Sequence, residues 1–345
     1  MKPLAPTRYL ALLAVLALGL AGAVALLNWL VDPLNFYRRP QRAPFLSEQA
    51  RYRNPGLARH ADYDAVIVGT SVSLGFARAG TLNLAMQGAS AHEQALMLGV
   101  ALRTGRVRRV FWDLNYEFFR GKPDWVSDYD GPFPANFYDT NPWNEVPHYL
   151  LNYDVAKISA RVLLGRYPRT GIDELTKLHA MRTPGLASVR AAYERARAGS
   201  FVFKTQPAEF APALTAASFD ANCLAIVRAH PDVKFDLHFP AFSIAYHALV
   251  REVAPGAFES MLAWKDEVAL KVAALPNVRL HDFQGMPEIV GDFDRYTDTV
   301  HCDALTHALL LEVLASGSQL ATPERLARTA DFLRANATPG WAAQR

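Results

Sequence analysis

Cysteine is scarce: Cys223 and Cys302, 79 positions apart, are the two in 345 residues. Neither spacing nor number fits a zinc ribbon or a disulfide framework, so the fold has to stand on its core. An exported chain can oxidise such a pair, but the reading here is two free, buried thiols. Charge of one sign is scarce too. The net charge is +3, charged residues make up 20%, and basic residues never run five or six together. That balance argues against a nucleic-acid partner and reads as a mixed, solvated surface. Internal repeats and low-complexity tracts are missing as well. What the chain has is apolar material, 51% of its residues, enough to bury a large core in one or two domains.

The apolar content includes one long run. Tyr9 to Val31 is 23 residues without a formal charge, long enough to cross a bilayer. Lys2 and Arg8 precede it and Asp32 follows, so the positive-inside rule leaves the N-terminus in the cytoplasm and the remainder outside. Ala23-Val24-Ala25 has the small-x-small form of a cleavage site. The run continues past it through Leu26, Leu27, Trp29 and Leu30, which favours a retained anchor. The segment has no polar face, unlike an ordinary surface helix. The expected organisation is a cytoplasmic tip and anchor (1–31), a basic, proline-containing juxtamembrane linker (32–62), an α/β domain (63–318) with an insertion at 116–230, and a tail (319–345).

Within the domain, short apolar strands alternate with helices. Strands are expected at Ala65–Val68, Thr81–Met86, Arg109–Leu114, Lys234–Phe239 and Val278–Phe283. Helices are expected over 91–104, 153–165, 187–199, 213–229, 256–274 and 303–316. Continuous β-branched strands between helices predict a mostly parallel sheet covered on both faces, a three-layer α/β/α fold. Ligands of such sheets sit beyond the carboxyl ends of the strands. Residues 116–150 interrupt the alternation with Trp125, Tyr129, Phe133, Phe137, Tyr138 and Trp143. They read as the local core of an inserted flap or as a stacking surface for sugars.

Two phrases at strand ends carry chemistry. The first strand runs into Gly69-Thr70-Ser71-Val72-Ser73, with a helix expected to begin there. Its N-terminus would stabilise an alkoxide or oxyanion at Ser71; the plainer reading is a serine N-cap. After the last strand, Asp298-Thr299-Val300-His301 can set a carboxylate against an imidazole and so fix the tautomer that accepts a serine proton. Both phrases fall on one sheet edge. Other candidates are weaker. His301, Asp303 and His307 lack the i, i+4 spacing of a helical metal site. His238 reads as a structural histidine in a strand. Asp113, at a strand end, lines the site or caps a loop.

This layout resembles the SGNH (GDSL-type) hydrolase superfamily, which has a flavodoxin-like α/β/α fold. Gly69-Thr70-Ser71 matches its Gly-x-Ser block, and the phrase ending Gln87-Gly88-Ala89 resembles its glycine block. Asp113-Leu114-Asn115 stands where the family has Gly-x-Asn, and Asp298 and His301 match Asp-x-x-His. Closest are single-anchor exported proteins resembling those of alginate O-acetylation, which also have an aspartate-proline phrase after the span, here Asp32-Pro33. The resemblance implies a Ser71–His301–Asp298 triad and an oxyanion hole from Ser71, Gly88 and Asn115, with no cofactor and no metal. It implies O-acyl transfer, acetyl above all, or ester hydrolysis on an envelope polysaccharide. The partner it implies is a multi-span membrane acyltransferase, and the place is the periplasmic side of the inner membrane. Two other readings stay open: a non-catalytic envelope protein that binds polysaccharide or scaffolds a secretion complex, and a lipid-directed esterase.

Overall fold

The computed structural model describes residues 6–39, 50–127, 129, 131–139, 141, 146–166 and 183–343. Lys2 and Trp143 lie outside them. In chain order the principal elements begin with α1 (Pro6–Val31), α2 (Ala50–His60), β1 (Ala65–Val68), β2 (Thr81–Asn83), α3 (Ala91–Leu102) and β3 (Arg109–Asp113). Next come α4 (Tyr153–Leu163), α5 (Leu186–Ala198) and α6 (Pro212–Phe219), the last running on through a wide π turn at Asp220–Leu224. The chain continues with β4 (Lys234–Phe239), α7 (Ile244–Val253), α8 (Pro255–Val272), β5 (Val278–Asp282), α9 (Ala304–Ser316) and α10 (Pro323–Asn336).

The fold is mixed α/β around a five-stranded sheet of order β2-β1-β3-β4-β5, parallel throughout. Val66, Ile67 and Val68 are fully buried, and each contributes about 1.5–3 kcal/mol of burial. The order reverses at β1 and β3, the place where open α/β sheets leave a crevice at their carboxyl ends. β2 ends three residues sooner than its sequence pattern predicts. Its continuation still follows β1, because Leu84 N–H donates to Ile67 O at 2.8 Å and Met86 N–H to Gly69 O at 3.0 Å. Across β3, β4 and β5, Asp236 takes Arg109 and Arg279, each at 2.6 Å. Lys265 of α8 is buried against Asp282 at the end of β5, at 2.8 and 3.0 Å.

Three of these principal helices were not expected. α2 lies in the segment read as a linker; Pro55 and Gly56 inside it hide its helical character, yet Leu57 and Ala58 are buried. α7 begins four residues after Pro240 and is started by Ser243, whose Oγ accepts from Tyr246 N–H. α10 lies in the stretch read as a tail. Thr322 caps it, Pro323 occupies its first turn, and Leu326 and Leu333 are buried.

The chain forms two compact units, Met1–Ala61 with Pro134–Ile172 and Asp62–Phe133 with Asp173–Arg345. The 116–230 segment, read as one insertion, is divided between them. In the first unit, α1 is long and apolar enough to cross a membrane. Just past it, the buried Asp32 carboxylate accepts from the N–H groups of Phe36, Tyr37 and Arg38 at 2.7–3.1 Å and from the Tyr149 hydroxyl at 2.7 Å. Asp32 and Asn35 take positive φ, 45° and 55°, and this carboxylate holds the strained turn together.

Candidate active site

The site forms in the second unit from two loops at the carboxyl edge of the sheet. The chain leaves β1 through Gly69, at φ +149°, where a Cβ would meet Asp113 Oδ2 at 2.0 Å. Glycine is required there by that approach. Ser71 then opens a three-residue 3₁₀ turn, Ser71–Ser73, instead of the expected helix. One short turn carries little dipole, so the helix-terminus argument for Ser71 does not hold. Neither does the N-cap reading: Thr70 occupies that position and no side chain caps the turn. What holds the turn is side chains from neighbouring strands. Asn83 Nδ2 donates to the carbonyls of Ser73, Leu74 and Phe76 at 2.8–3.3 Å. Asp113, at the end of β3, accepts from Thr70 N–H at 2.7 Å and from Ser73 Oγ at 2.6 Å. Burial pushes the Asp113 carboxyl up to about 6 despite these bonds.

The second loop lies between β5 and α9. Tyr296 and Cys302 bridge antiparallel, and Thr297 N–H donates to His301 O at 2.9 Å, closing a tight loop. Ser243 pins it to the start of α7, its Oγ donating to Thr299 O at 2.7 Å. Within the loop, Asp298 Oδ1 accepts from the N–H groups of Val300 and His301 at 2.9 and 2.8 Å. Its Oδ2 lies 2.7 Å from His301 Nδ1. Burial opposes the Asp298 charge, but these bonds outweigh it and hold the carboxyl below its usual range.

His301 joins the two loops. Its Nε2 is 2.9 Å from Ser71 Oγ. An ionised carboxylate only accepts, so Nδ1 carries the proton and Nε2 is left to accept from the serine hydroxyl. Ser71, His301 and Asp298 therefore form one continuous hydrogen-bonded chain across 230 positions of sequence. No family model, curated protein or solved structure matches this chain.

The remaining predicted residues are less uniformly placed. Met86, two residues before Gly88, is hydrogen-bonded to the carbonyl of Gly69, two residues before Ser71. Gly88 has φ +61°, and a Cβ there would lie 2.7 Å from the ring of the exposed Tyr129. Among the described residues, the backbone N–H groups of Ser71 and Gly88 donate to no protein acceptor. Asn115 is buried and bonded locally: Oδ1 accepts from Glu117 N–H at 3.2 Å and Nδ2 donates one of its two N–H groups to Thr70 Oγ1 at 3.4 Å. It adjoins the turn through Thr70, and among the described residues no hydrogen bond joins it to Ser71.

His307 takes part in the architecture in a way the sequence did not reveal. Its Nε2 lies 2.9 Å from Val72 O and its Nδ1 2.8 Å from Asp303 O, so the ring sits between the serine turn and the start of α9. Its nitrogens face carbonyls, which suits a structural histidine better than a ligand. His238 is buried in β4, and among the described residues its Nδ1 has no hydrogen-bond partner. It lines a small cavity with Val72, Phe76, Cys302 and His307, and burial lowers its pKa to about 3. Both cysteines are free, Cys223 buried and Cys302 only partly so. Of the aromatic stretch, Phe137 and Tyr138 are buried, whereas Tyr129 is exposed beside Gly88.

Proposed function

We propose that this chain is a membrane-anchored serine esterase or O-acyltransferase of the SGNH kind, with a three-layer α/β/α domain. The observation that carries the reading is His301 bonded at once to Ser71 Oγ and to the half-buried carboxylate of Asp298. In the mechanism it supports, His301 takes the Ser71 proton as Oγ attacks an ester carbonyl, and Asp298 holds the imidazolium. The uncommitted N–H groups of Ser71 and Gly88 would receive the oxyanion, each donor being worth about 10²–10³ in rate. His301 then protonates the leaving alcohol. The acyl group next passes to a sugar hydroxyl or to water. With α1 as anchor, the domain would stand on the periplasmic side of the inner membrane, facing envelope polysaccharide. A multi-span membrane acyltransferase is the expected donor partner.

Asp113 standing where the SGNH block has glycine, its carboxylate bonded to the serine turn, favours a second reading, a non-catalytic envelope protein on the same fold. One experiment separates them. The full chain in detergent is treated with a fluorophosphonate probe and mapped by peptide mass spectrometry. An adduct on Ser71, lost in His301→Ala, is expected. No adduct on a chain that melts cooperatively would overturn the catalytic reading. Hydrolysis rates of acetyl and long-chain esters then separate the polysaccharide enzyme from a lipid esterase.

A further inference from the structure

The outward face of α4 has no part in the site, and its position relative to α1 is informative. From Pro6 to Leu20 every residue of α1 is exposed, whereas Ala21, Val24, Ala25, Leu27, Asn28 and Val31 are covered in part or whole. The elements packed on α1 are α4 and the turn Val146–Leu150 before it. The joint is polar. Asn28 is fully buried; its amide donates to the carbonyls of Tyr149, Leu150 and Asn152 at 2.9–3.3 Å and accepts from Ser159 Oγ at 2.9 Å. An asparagine in an apolar helix is costly unless satisfied in this way.

Length sets the level of this joint. The 26 residues of α1 extend about 39 Å at 1.5 Å each, against about 30 Å of hydrocarbon. The end that α4 covers therefore falls where the span meets the headgroups. There α4 turns Val155 and Ser159 inward and leaves Tyr153, Lys157, Arg161 and Leu164 along its outer side, with Leu163 exposed beside them. Asp154 is its one acidic residue. An aromatic, two leucines and two bases on one helix is interfacial chemistry: apolar parts sink and the bases reach phosphate.

We infer that α4 is a membrane-interface helix, seated in the leaflet from which α1 emerges, and that Lys157 and Arg161 engage anionic phospholipid headgroups. This rests on α1 as the anchor. Its effect would be to hold the first unit at a fixed height and orientation against the bilayer.

The test uses the full chain with Cys223→Ser and Cys302→Ser, its folding verified by circular dichroism, in nanodiscs of brominated lipid. A bimane label is placed in turn at Leu163→Cys, at Leu18→Cys as a span control and at the exposed Leu270→Cys as a water control. Leu163 should be quenched like Leu18 and unlike Leu270. The quenching should rise when phosphatidylglycerol replaces phosphatidylcholine. Lys157→Glu with Arg161→Glu should abolish that rise, each charge near an anionic surface being worth about fivefold in partition. Quenching at Leu18 with Leu163 behaving like Leu270 overturns this inference and spares the anchor, as does quenching at Leu163 that ignores lipid charge for the headgroup contact. Absence of quenching at Leu18 overturns both.

Discussion

The Asp113 carboxylate accepts a 2.7 Å hydrogen bond from the Thr70 N–H, so the residue before Ser71 is held from the adjacent strand. The same carboxylate accepts from Ser73 on the other side of Ser71. Asp113 is thus a positioning residue for the serine turn. Asp113→Ala leaves two buried donors without partners and should cost about 2–4 kcal/mol, with a fall in ester hydrolysis. Asp113→Asn retains an acceptor and should recover most of both. Urea denaturation and p-nitrophenyl acetate kinetics measure the pair.

The pH dependence follows from two carboxylates of opposite sign. Asp113 has its folded pKa raised to about 6 by burial, so the folded state binds its proton more tightly. Its contribution to stability is present at acid pH and is lost as pH rises through the window up to about 6. Asp298 is depressed, so its contribution is present at neutral pH and lost as pH falls through its folded pKa. Between pH 4 and 7, wild type should therefore lose roughly 2–3 kcal/mol relative to Asp113→Asn. Denaturation midpoints of the two proteins at each pH check this; parallel curves would refute it.

The triad should behave as a unit. Ser71→Ala and His301→Ala should each remove nearly all activity, about 10³-fold or more, and the double variant should be hardly worse. Asp298→Asn keeps the shape but permits the wrong tautomer, and a loss of up to about 10⁴ in kcat is expected. Losses that multiply in the double variant would exclude a shared mechanism.

Gly69 and Asp113 should be coupled. In Gly69→Ala the new Cβ would fall 2.0 Å from Asp113 Oδ2, at a φ that L-residues avoid. Stability and activity should both drop. Combined with Asp113→Ala, the clash disappears, and the double variant should be less destabilised than the sum of the singles by about 0.5–3 kcal/mol. Additivity in a double-mutant cycle would contradict this packing.

Lys265 and Asp282 are 3% and 0% exposed as side chains, and Gln284 Oε1 completes the lysine's partners at 3.1 Å. Burial lowers the lysine pKa, and Asp282 opposes that shift. Lys265→Met strands a buried carboxylate and should cost about 3–5 kcal/mol. Lys265→Met with Asp282→Leu should restore much of it, as read by thermal melting.

The α/β class, the five strands and the two strand-end phrases that carry Ser71 and His301 were legible in the amino-acid sequence, because each is a local pattern. Buried parallel strands are continuous apolar runs, and Asp298-x-x-His301 places its carboxylate through a turn of three residues. A helix long and apolar enough to cross a membrane, as at Pro6–Val31, is read from composition alone. Helices α2 and α10 were missed because Pro55-Gly56 and a polar, arginine-rich composition break the apolar period that marks a helix. Their burial comes from partners remote in sequence.

Tertiary structure decided what proximity alone can decide. Ser71 and His301 are 230 positions apart, and the sheet brings them to 2.9 Å. Asp113 reads from sequence as a loop cap or a site residue, and only the pairing of β1 with β3 makes it the acceptor that holds the serine turn. The helix expected after Ser71 shrinks to a single 3₁₀ turn because side chains from β2 and β3 satisfy its backbone, and His307 bonds the Val72 carbonyl from α9. Local sequence determines which groups can react; long-range strand order determines which of them meet, since hydrogen bonds act over about 3 Å and only the folded sheet supplies that distance.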